Sequence, residues 1–312
     1  MTITVITATY NRRNLLTRLF ASLVAQHYDE IEWIVVDDGG TDDTGDTIAQ
    51  FRRDARFRVQ FLRQSNSGKN VAVNAGLEIA TGELVCIVDD DDLFLPDMFA
   101  TVAKDYATIA GNGKVAGLSY LTIDQTGKVW GRRFPRDRMI SDHFECRINQ
   151  RIWGDKFEFT KSRVLRENSV RYPVTEMKGG FGADTVFFFR IAETYETCYV
   201  NRPVLEKVYR SDGISVNWRQ GSLKNPQLTA KYYAAFLNSR VRLSIRFKYM
   251  IAYLAILWYS RQKLAIPQIQ APWNRLLFYL SYLPGIAVGF RWRGYRGKTP
   301  PQSRKWLRSK AG

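Results

Sequence analysis

The chain has 312 residues, of which 45% are hydrophobic and 13% aromatic, and it carries a formal net charge of +16. This composition is that of a folded protein with one large domain or two small ones, and it excludes a disordered chain. The three cysteines lack metal-site spacing and are too few for a disulfide framework, so we expect a reducing compartment. The N-terminus starts directly on a strand without the basic region of a signal peptide, which predicts a cytoplasmic protein.

The positive charge is concentrated at the C-terminal end. The last acidic residue is Asp212, and residues 221–312 contain 17 lysines and arginines but no aspartate or glutamate. The residues before this region are close to neutral. We therefore predict two domains, a catalytic domain at residues 1–220 and a basic helical region at residues 221–312.

The first 110 residues alternate strand and helix signals at short spacing. Such alternation predicts an α/β fold with a mostly parallel sheet and helices on both faces. The predicted strands are residues 3–9, 31–36, 58–63 and 84–88, and the predicted helices are residues 13–25, 43–53 and 71–80.

The second half of the predicted catalytic domain has a less regular pattern. Pro96 is placed to open a helix that continues to about residue 107. Residues 115–122 and 128–134 predict a β-hairpin, because a short turn sequence separates them. A helix at residues 184–193 and closing strands at residues 198–210 complete the pattern.

Four consecutive aspartates, residues 89–92, follow the apolar run at residues 84–88. Adjacent like charges repel one another, so this strand end needs a compensating cation, of which a divalent metal is the simplest. A second acidic strand end follows residues 34–36, and the carboxyl ends of parallel strands are where ligands bind. The two loops therefore predict one shared site, although a helix cap or a solvated loop would also accommodate acidic residues.

Together these segments resemble family 2 glycosyltransferases of the GT-A fold. The resemblance is dense over residues 1–110, looser to about residue 217, and it implies inverting transfer of one sugar from a nucleotide-diphosphate-sugar donor, with a UDP-sugar favoured. A divalent Mn²⁺ or Mg²⁺ ion is the implied cofactor. The motifs that carry the resemblance are Thr7-Ala8-Thr9-Tyr10-Asn11, Val36-Asp37-Asp38-Gly39-Gly40-Thr41-Asp42, Asn66-Ser67-Gly68-Lys69, Asn74-Ala75-Gly76 and Val88-Asp89-Asp90-Asp91-Asp92.

The resemblance implies a set of donor-binding residues. Thr7 and Tyr10 would wall the base pocket, and Asp38 would accept a hydrogen bond from the base. Lys69 would add positive charge near the diphosphate, with a solvated surface lysine as the alternative. The full implied set is Thr7, Tyr10, Asp38, Lys69, Asp89, Asp90 and Arg210.

The resemblance also implies metal ligands. Asp91 would ligate the cation, with Asp89 holding the donor ribose or a metal-bound water, while Asp90 and Asp92 are expected to support the loop. Asp212 lies where the family has a histidine that reaches the metal, and it would either ligate the ion or order its loop. A hard cation held by oxygen ligands neutralises the charge that develops on a diphosphate leaving group.

Inversion requires a base that takes the proton of the acceptor hydroxyl. Asp184 matches the carboxylate that the family places near the start of a helix, and the alternative is that it only caps this helix. The Gln-x-x-Arg-Trp signature of processive synthases is absent, which favours one transfer per binding event.

The basic region contains two apolar stretches, residues 249–259 and 276–290, the second interrupted by Pro284 and Gly285. Both are too short to span a bilayer, and their flanking basic and aromatic residues fit an anionic membrane surface. We expect peripheral attachment to the inner face of the cell membrane, with a glycan or lipid-linked acceptor in envelope polysaccharide or glycolipid biosynthesis. A helical subdomain packed on the catalytic domain is the alternative.

Other classes of protein fit the sequence less well. A sugar-phosphate nucleotidyltransferase would carry a glycine-rich loop after the first strand, where residues 9–13 have no glycine. Nucleic-acid binding would explain the basic charge but not the two acidic strand ends, so no nucleic-acid partner is expected. A non-enzymatic relative that retained the fold stays open, and the oligomeric state is undetermined.

Overall fold

A computed structural model of the chain describes residues 1–175, 182–208, 222–261 and 272–294. The chain divides into two compact units. The first unit comprises Met1–Val174 and Phe187–Tyr209, and the second comprises Thr175–Val186 and Arg210–Gly312.

The first unit begins with a parallel sheet in the order β3-β2-β1-β4. Every residue of β2 is buried, as expected for a parallel strand that is covered on both faces. The α/β alternation predicted from the sequence is confirmed, with boundaries within two residues. The elements are β1 (Ile3–Thr9), α1 (Arg13–Val24), β2 (Ile31–Asp37), α2 (Thr44–Asp54), β3 (Arg58–Arg63), α3 (Lys69–Ile79) and β4 (Leu84–Ile87).

The sheet continues beyond β4 in the order β8-β6-β9-β5, with β7 also paired to β9. Strand β8 is antiparallel to β4 and β6, β9 is parallel to β6, and β5 is antiparallel to β9. The elements are β5 (Leu93–Phe94), α4 (Met98–Ala107), β6 (Val115–Ile123), β7 (Arg138–Ser141), a π-helical turn (Phe144–Asn149), β8 (Lys156–Lys161), α5 (Ser162–Glu167), α6 (Ala183–Ala192) and β9 (Glu196–Glu206).

Two of the local predictions are wrong. The hairpin predicted after β6 is reduced to one antiparallel bridge between Ile123 and Val129, because β8 and β9 occupy the two edges of β6. Pro96 does not open helix α4, which begins at Met98 after Asp97 adopts a left-handed conformation with φ +56°.

Aromatic packing holds helices α1 and α2 against the sheet. Phe20 stacks on Phe51 with ring centroids 4.0 Å apart, and both rings stack on Trp33 of β2 at 5.9 Å. Trp33 is fully buried. This packing fixes β2, whose carboxyl end carries one of the two acidic loops.

A buried carboxylate connects neighbouring strands at the end of the sheet where the parallel strands begin, opposite the acidic loops. Glu32 of β2 is 1% exposed and accepts hydrogen bonds from Thr4 Oγ1 at 2.6 Å and Gln60 Nε2 at 2.8 Å. It also accepts from the backbone N–H of Thr81 at 2.8 Å and from the Thr81 hydroxyl at 2.7 Å. Desolvation would raise the pKa of Glu32, but these donors and the charge of Arg58 hold the pKa below its ordinary value.

The second unit contains the helices α7 (Pro226–Asn238), α8 (Leu243–Ser260) and α9 (Pro272–Arg293). Asn225 caps α7 by accepting a hydrogen bond from the Leu228 N–H at 3.0 Å. The helices bury a shared apolar cluster that includes Ala230, Tyr233, Leu237, Met250, Leu254, Ile256 and Leu277.

Helix α9 continues through Pro284, so the proline that interrupts the apolar stretch does not interrupt the helix. At Gly285 a Cβ atom would lie 2.6 Å from the Cβ of Leu254, which shows how closely α9 approaches α8. One side of α9 exposes large apolar side chains. They are Leu276, Tyr279, Leu280, Tyr282, Leu283 and Phe290.

We find no helix long and apolar enough to cross a membrane in the ranges that the structure describes. The longest of these helices, α9, has 22 residues and includes a proline.

Candidate functional site

Three loops meet at the carboxyl ends of the adjacent strands β2, β1 and β4. Asn11, which follows β1, adopts φ +54°, a left-handed conformation that asparagine tolerates better than most residues. Its Oδ1 accepts hydrogen bonds from the backbone N–H groups of Thr41 at 2.6 Å and Asp42 at 3.3 Å. The loop after β1 is thereby attached to the loop after β2.

Asp38 organises the turn that leads into α3. Its carboxylate is 5% exposed and accepts hydrogen bonds from Gln64 Nε2 at 2.7 Å and from the backbone N–H groups of Ser67 at 2.8 Å and Gly68 at 2.7 Å. Gly68 has φ +93°, a conformation that favours glycine. This turn places Lys69 at the first position of α3, with its ammonium group against Asp89.

The four aspartates at residues 89–92 have different surroundings. Asp90 is 4% exposed and accepts hydrogen bonds from Thr9 Oγ1 at 2.8 Å and Arg12 Nη1 at 3.0 Å. These contacts tie the loop after β4 to the end of β1. Asp90 is therefore positioned to stabilise the loop that carries the other three aspartates.

The other three carboxylates form a cluster that could hold a cation. Asp89, Asp91 and Asp92 each offer one oxygen, and these oxygens lie within 4.8 Å of one another. Burial raises the pKa of Asp91, and the charge of Asp89 raises it further. Such a set of carboxylate oxygens fits a hard divalent cation such as Mg²⁺ or Mn²⁺.

Basic side chains surround this acidic cluster. Lys207 Nζ lies 2.8 Å from Asp92 Oδ2 and 3.5 Å from Asp89 Oδ2, and Arg12 Nη1 lies 3.8 Å from Asp91 Oδ2. Desolvation would raise the pKa of Asp89, but the charges of Lys69 and Lys207 outweigh it and hold the pKa below its ordinary value. For Asp92 burial dominates and raises the pKa to about 7, although Lys207 opposes the shift.

The remaining predicted site residues differ in their exposure and in the unit to which they belong. Thr7 has no exposed surface, and its hydroxyl accepts a hydrogen bond from Trp33 Nε1 at 3.1 Å, whereas Tyr10 is 47% exposed at the end of β1. Asp184 is exposed in the first turn of α6, among residues that belong to the second unit. Arg210 and Asp212 lie outside the described residues.

Sequence reasoning missed three features of the acidic cluster. It assigned Asp92 only to loop support, and it did not identify Lys207. No local motif marks Lys207, because its place beside Asp92 follows from the antiparallel pairing of β5 with β9. Arg12 was also missed, although its position directly after the Tyr10-Asn11 motif was a usable signal.

An open sheet with acidic loops at the carboxyl ends of its parallel strands defines a fold of the GT-A type, in which helices flank a central sheet. The family model described as glycosyl transferase family 2 matches residues 4–172, more than half of the chain. The chain therefore belongs to glycosyl transferase family 2.

Relatives of known sequence are also glycosyltransferases. The uncharacterized glycosyltransferase YibD of Escherichia coli (strain K12) is 24% identical over 270 residues, which cover 81% of this chain and 77% of YibD. The GalNAc(5)-diNAcBac-PP-undecaprenol beta-1,3-glucosyltransferase of Campylobacter jejuni is 33% identical over 131 residues, or 40% of this chain and 42% of that protein. Some of the curated relatives are thus matched over less than half of their own length.

Two solved structures share the fold at low sequence identity. S. aureus TarS 1-349 in complex with UDP-GlcNAc has a TM-score of 0.66 at 16% identity, with coverage of 96% of this chain and 93% of that chain. The mannosyltransferase PcManGT from Pyrobaculum calidifontis, in complex with GDP-Man and Mn²⁺, has a TM-score of 0.56 at 17% identity, with coverage of 92% and 86%.

Proposed function

We propose that the chain is an inverting, metal-dependent glycosyltransferase that moves one sugar from a nucleotide-diphosphate-sugar to an acceptor hydroxyl. The observation that carries this proposal is the cluster of Asp89, Asp91 and Asp92 beside the carboxyl ends of the parallel strands. Asp89 and Asp91 would hold Mn²⁺ or Mg²⁺, with Asp212 as a further ligand. The bound cation would neutralise the charge that develops on the departing diphosphate.

The donor would lie along the loops after β1, β2 and β4. Tyr10 would offer its exposed ring to the base, and Asp38, which orders the turn into α3, would also accept a hydrogen bond from the base. Lys69 and Arg210 supply positive charge for the diphosphate, and Asp90 fixes the loop that carries the cation ligands. Thr7 has no exposed surface, so it would support the pocket from within the sheet. Neighbours of the same fold bind UDP-GlcNAc and GDP-Man, and we favour a UDP-sugar.

Asp184 would be the catalytic base. Its carboxylate is exposed at the start of α6, where it would take the proton of the acceptor hydroxyl as that oxygen attacks the anomeric carbon. Gly182 precedes this helix with φ +97°, a conformation that favours glycine. A side chain at this position would clash with Tyr232, because a Cβ would lie 2.5 Å from its ring. Attack from the face opposite the diphosphate inverts the anomeric configuration.

The acceptor would be a glycan or a lipid-linked sugar of the cell envelope. The Campylobacter relative is a GalNAc(5)-diNAcBac-PP-undecaprenol beta-1,3-glucosyltransferase, which supports this class of acceptor. In this proposal residues 1–220 carry out catalysis, and residues 221–312 attach the enzyme to the inner face of an anionic membrane. The apolar face of α9 and the absence of acidic residues from this region support the attachment.

A screen of nucleotide sugars tests the proposed reaction. With Mn²⁺ present, the correct donor should raise the thermal denaturation midpoint and release its nucleoside diphosphate slowly, and EDTA should abolish both effects. The nucleotidyltransferase alternative instead predicts pyrophosphate release from a nucleoside triphosphate and a sugar phosphate. That product, with no turnover of any nucleotide sugar, would refute the proposed function.

Vesicle flotation tests the membrane attachment separately from catalysis. The exposed residues Leu280 and Leu283 of α9 would insert among lipid headgroups, so the double substitution Leu280→Gln and Leu283→Gln should lower binding to phosphatidylglycerol vesicles at least about fivefold. Ile140→Gln, at an exposed position of β7, is the matched control and should bind as the wild type does. Equal binding of the double variant would show that α9 does not contact lipid.

A further inference from the structure

The position of Lys207 beside the acidic cluster is set by the backbone of two strands. Leu93 of β5 pairs with Glu206 of β9 in an antiparallel register, so the next pair along the strands places Asp92 opposite Lys207. The backbone N–H of Lys207 donates a hydrogen bond to the Ile123 carbonyl at the end of β6 at 2.8 Å. Strand pairing therefore delivers this ammonium group to the carboxylates.

Lys207 contacts two of the three carboxylates that could hold a cation. Its Nζ is 2.8 Å from Asp92 Oδ2 and 3.5 Å from Asp89 Oδ2. The side chain of Asp92 is 2% exposed and that of Lys207 is 21% exposed, so water screens this pair less than it screens a surface ion pair. The charge of Lys207 consequently acts at short range on any dication that approaches the same oxygens.

Among the described residues, the charges in direct contact within the cluster are close to balance. The carboxylates of residues 89–92 contact Arg12, Lys69 and Lys207, so these three cations compensate most of the negative charge. A dication that enters the cluster alone gains little net attraction and is repelled by the nearest ammonium groups. A diphosphate that arrives with it restores the missing negative charge.

We propose that Lys207 lowers the affinity of the acidic cluster for a divalent cation until a donor diphosphate binds, so that cation and donor bind cooperatively. The inference rests on the metal-dependent donor binding proposed above. By linkage, the factor by which the nucleotide tightens cation binding equals the factor by which the cation tightens nucleotide binding. Lys207 thus sets the affinity of the cluster for the cation through its contacts with Asp89 and Asp92.

The experiment measures Mn²⁺ binding by electron paramagnetic resonance, with and without UDP, on the full chain. Lys207→Met removes the charge with little change in length, and Lys207→Arg retains the charge. Lys114→Met is the matched control. Lys114 is exposed and lies just before the first residue of β6, whereas Lys207 bonds to Ile123, the last residue of β6. Near-ultraviolet circular dichroism on each variant establishes that it is folded.

For the wild type, UDP should tighten Mn²⁺ binding at least about tenfold. The diphosphate supplies negative charge in place of the carboxylate charge that the Lys207 ammonium group neutralises. Without UDP, Lys207→Met should bind Mn²⁺ at least about tenfold more tightly than the wild type, and UDP should tighten its binding by a smaller factor. Lys207→Arg and Lys114→Met should behave as the wild type.

Equal Mn²⁺ affinity of folded Lys207→Met and wild type without UDP would overturn the inference. If Lys207→Met does not fold, Lys207→Gln, which also removes the charge, takes its place with the same expected and contradicting results. Equal tightening of Mn²⁺ binding by UDP in the wild type and in folded Lys207→Met refutes only this inference, whereas Mn²⁺ binding that UDP does not alter also contradicts the metal-dependent donor binding proposed above. Failure of the wild type to bind Mn²⁺ under either condition refutes both the inference and the metal dependence of the proposed function.

Discussion

Asp184 has the properties that a catalytic base needs, namely an ionisable oxygen and exposure at the start of a helix. An amide cannot accept the proton, so Asp184→Asn should lower the transfer rate at least about 100-fold. Its affinity for UDP and Mn²⁺ should be unchanged, because the donor contacts come from other loops. Steady-state transfer assays and calorimetry measure the two effects.

The matched control for this substitution is Glu193→Gln, which changes an exposed carboxylate just beyond the end of the same helix. It should retain the wild-type rate. Wild-type transfer by Asp184→Asn would require another residue to act as the base.

The lowered pKa of Glu32, which lies at the end of the sheet opposite the acidic loops, should make the stability of the protein depend on pH. Its pKa is lower in the folded protein than its ordinary value of 4.5, so its contribution is complete above that pH and is lost as the pH falls towards the folded value. Glu32→Gln should therefore destabilise the protein by about 2 kcal/mol at pH 7 and by clearly less at pH 4. Urea unfolding at both pH values measures the difference, and a difference that stays constant with pH would contradict the assigned cause.

At the scale of elements, the parts that could be predicted are those fixed by local sequence. The alternation that defines β1 to β4 and α1 to α3 follows from short apolar runs and turn residues, and it was predicted within two residues. The pairing of β6 could not be predicted, because β8 and β9 come from distant parts of the chain and displace the local hairpin.

The same reasoning applies to the candidate site. The acidic loops were visible in the sequence because their motifs are contiguous, and Asp89 and Asp91 lie together as the motif implied. Lys207 was not visible, because only the register of β5 against β9 brings it to Asp92. Likewise, the local sequence does not show that α9, which approaches α8 closely at Gly285, continues through Pro284.

The cap of helix α7 gives a prediction for the second unit. Asn225 accepts a hydrogen bond from the Leu228 N–H, so Asn225→Ala should lower the free energy of unfolding by about 1 kcal/mol. Asn225→Asp retains the acceptor oxygen and should lose less than half of that. Chemical denaturation measures both variants, and an alanine variant as stable as the wild type would show that the cap contributes nothing measurable.

Across the whole molecule, the separation of charge along the chain is consistent with the proposal that residues 1–220 carry out catalysis and residues 221–312 attach to a membrane. The acidic cluster and its surrounding cations lie in the first unit, whereas residues 221–312 have no acidic residue. Attraction to an anionic membrane is electrostatic and weakens as salt increases. Catalysis on a soluble acceptor analogue should therefore tolerate salt better than vesicle binding does, and both can be measured over the same salt series.

Binding of a cation by the acidic cluster is the central requirement of the proposed reaction. Release of nucleoside diphosphate from the preferred nucleotide sugar, measured with Mn²⁺ for wild type and Asp91→Asn, tests this claim most directly. We expect a loss of at least about 100-fold for Asp91→Asn, and no loss for Asp54→Asn, a substitution of the exposed last residue of α2. Retention of the wild-type rate and Mn²⁺ response by Asp91→Asn would contradict it.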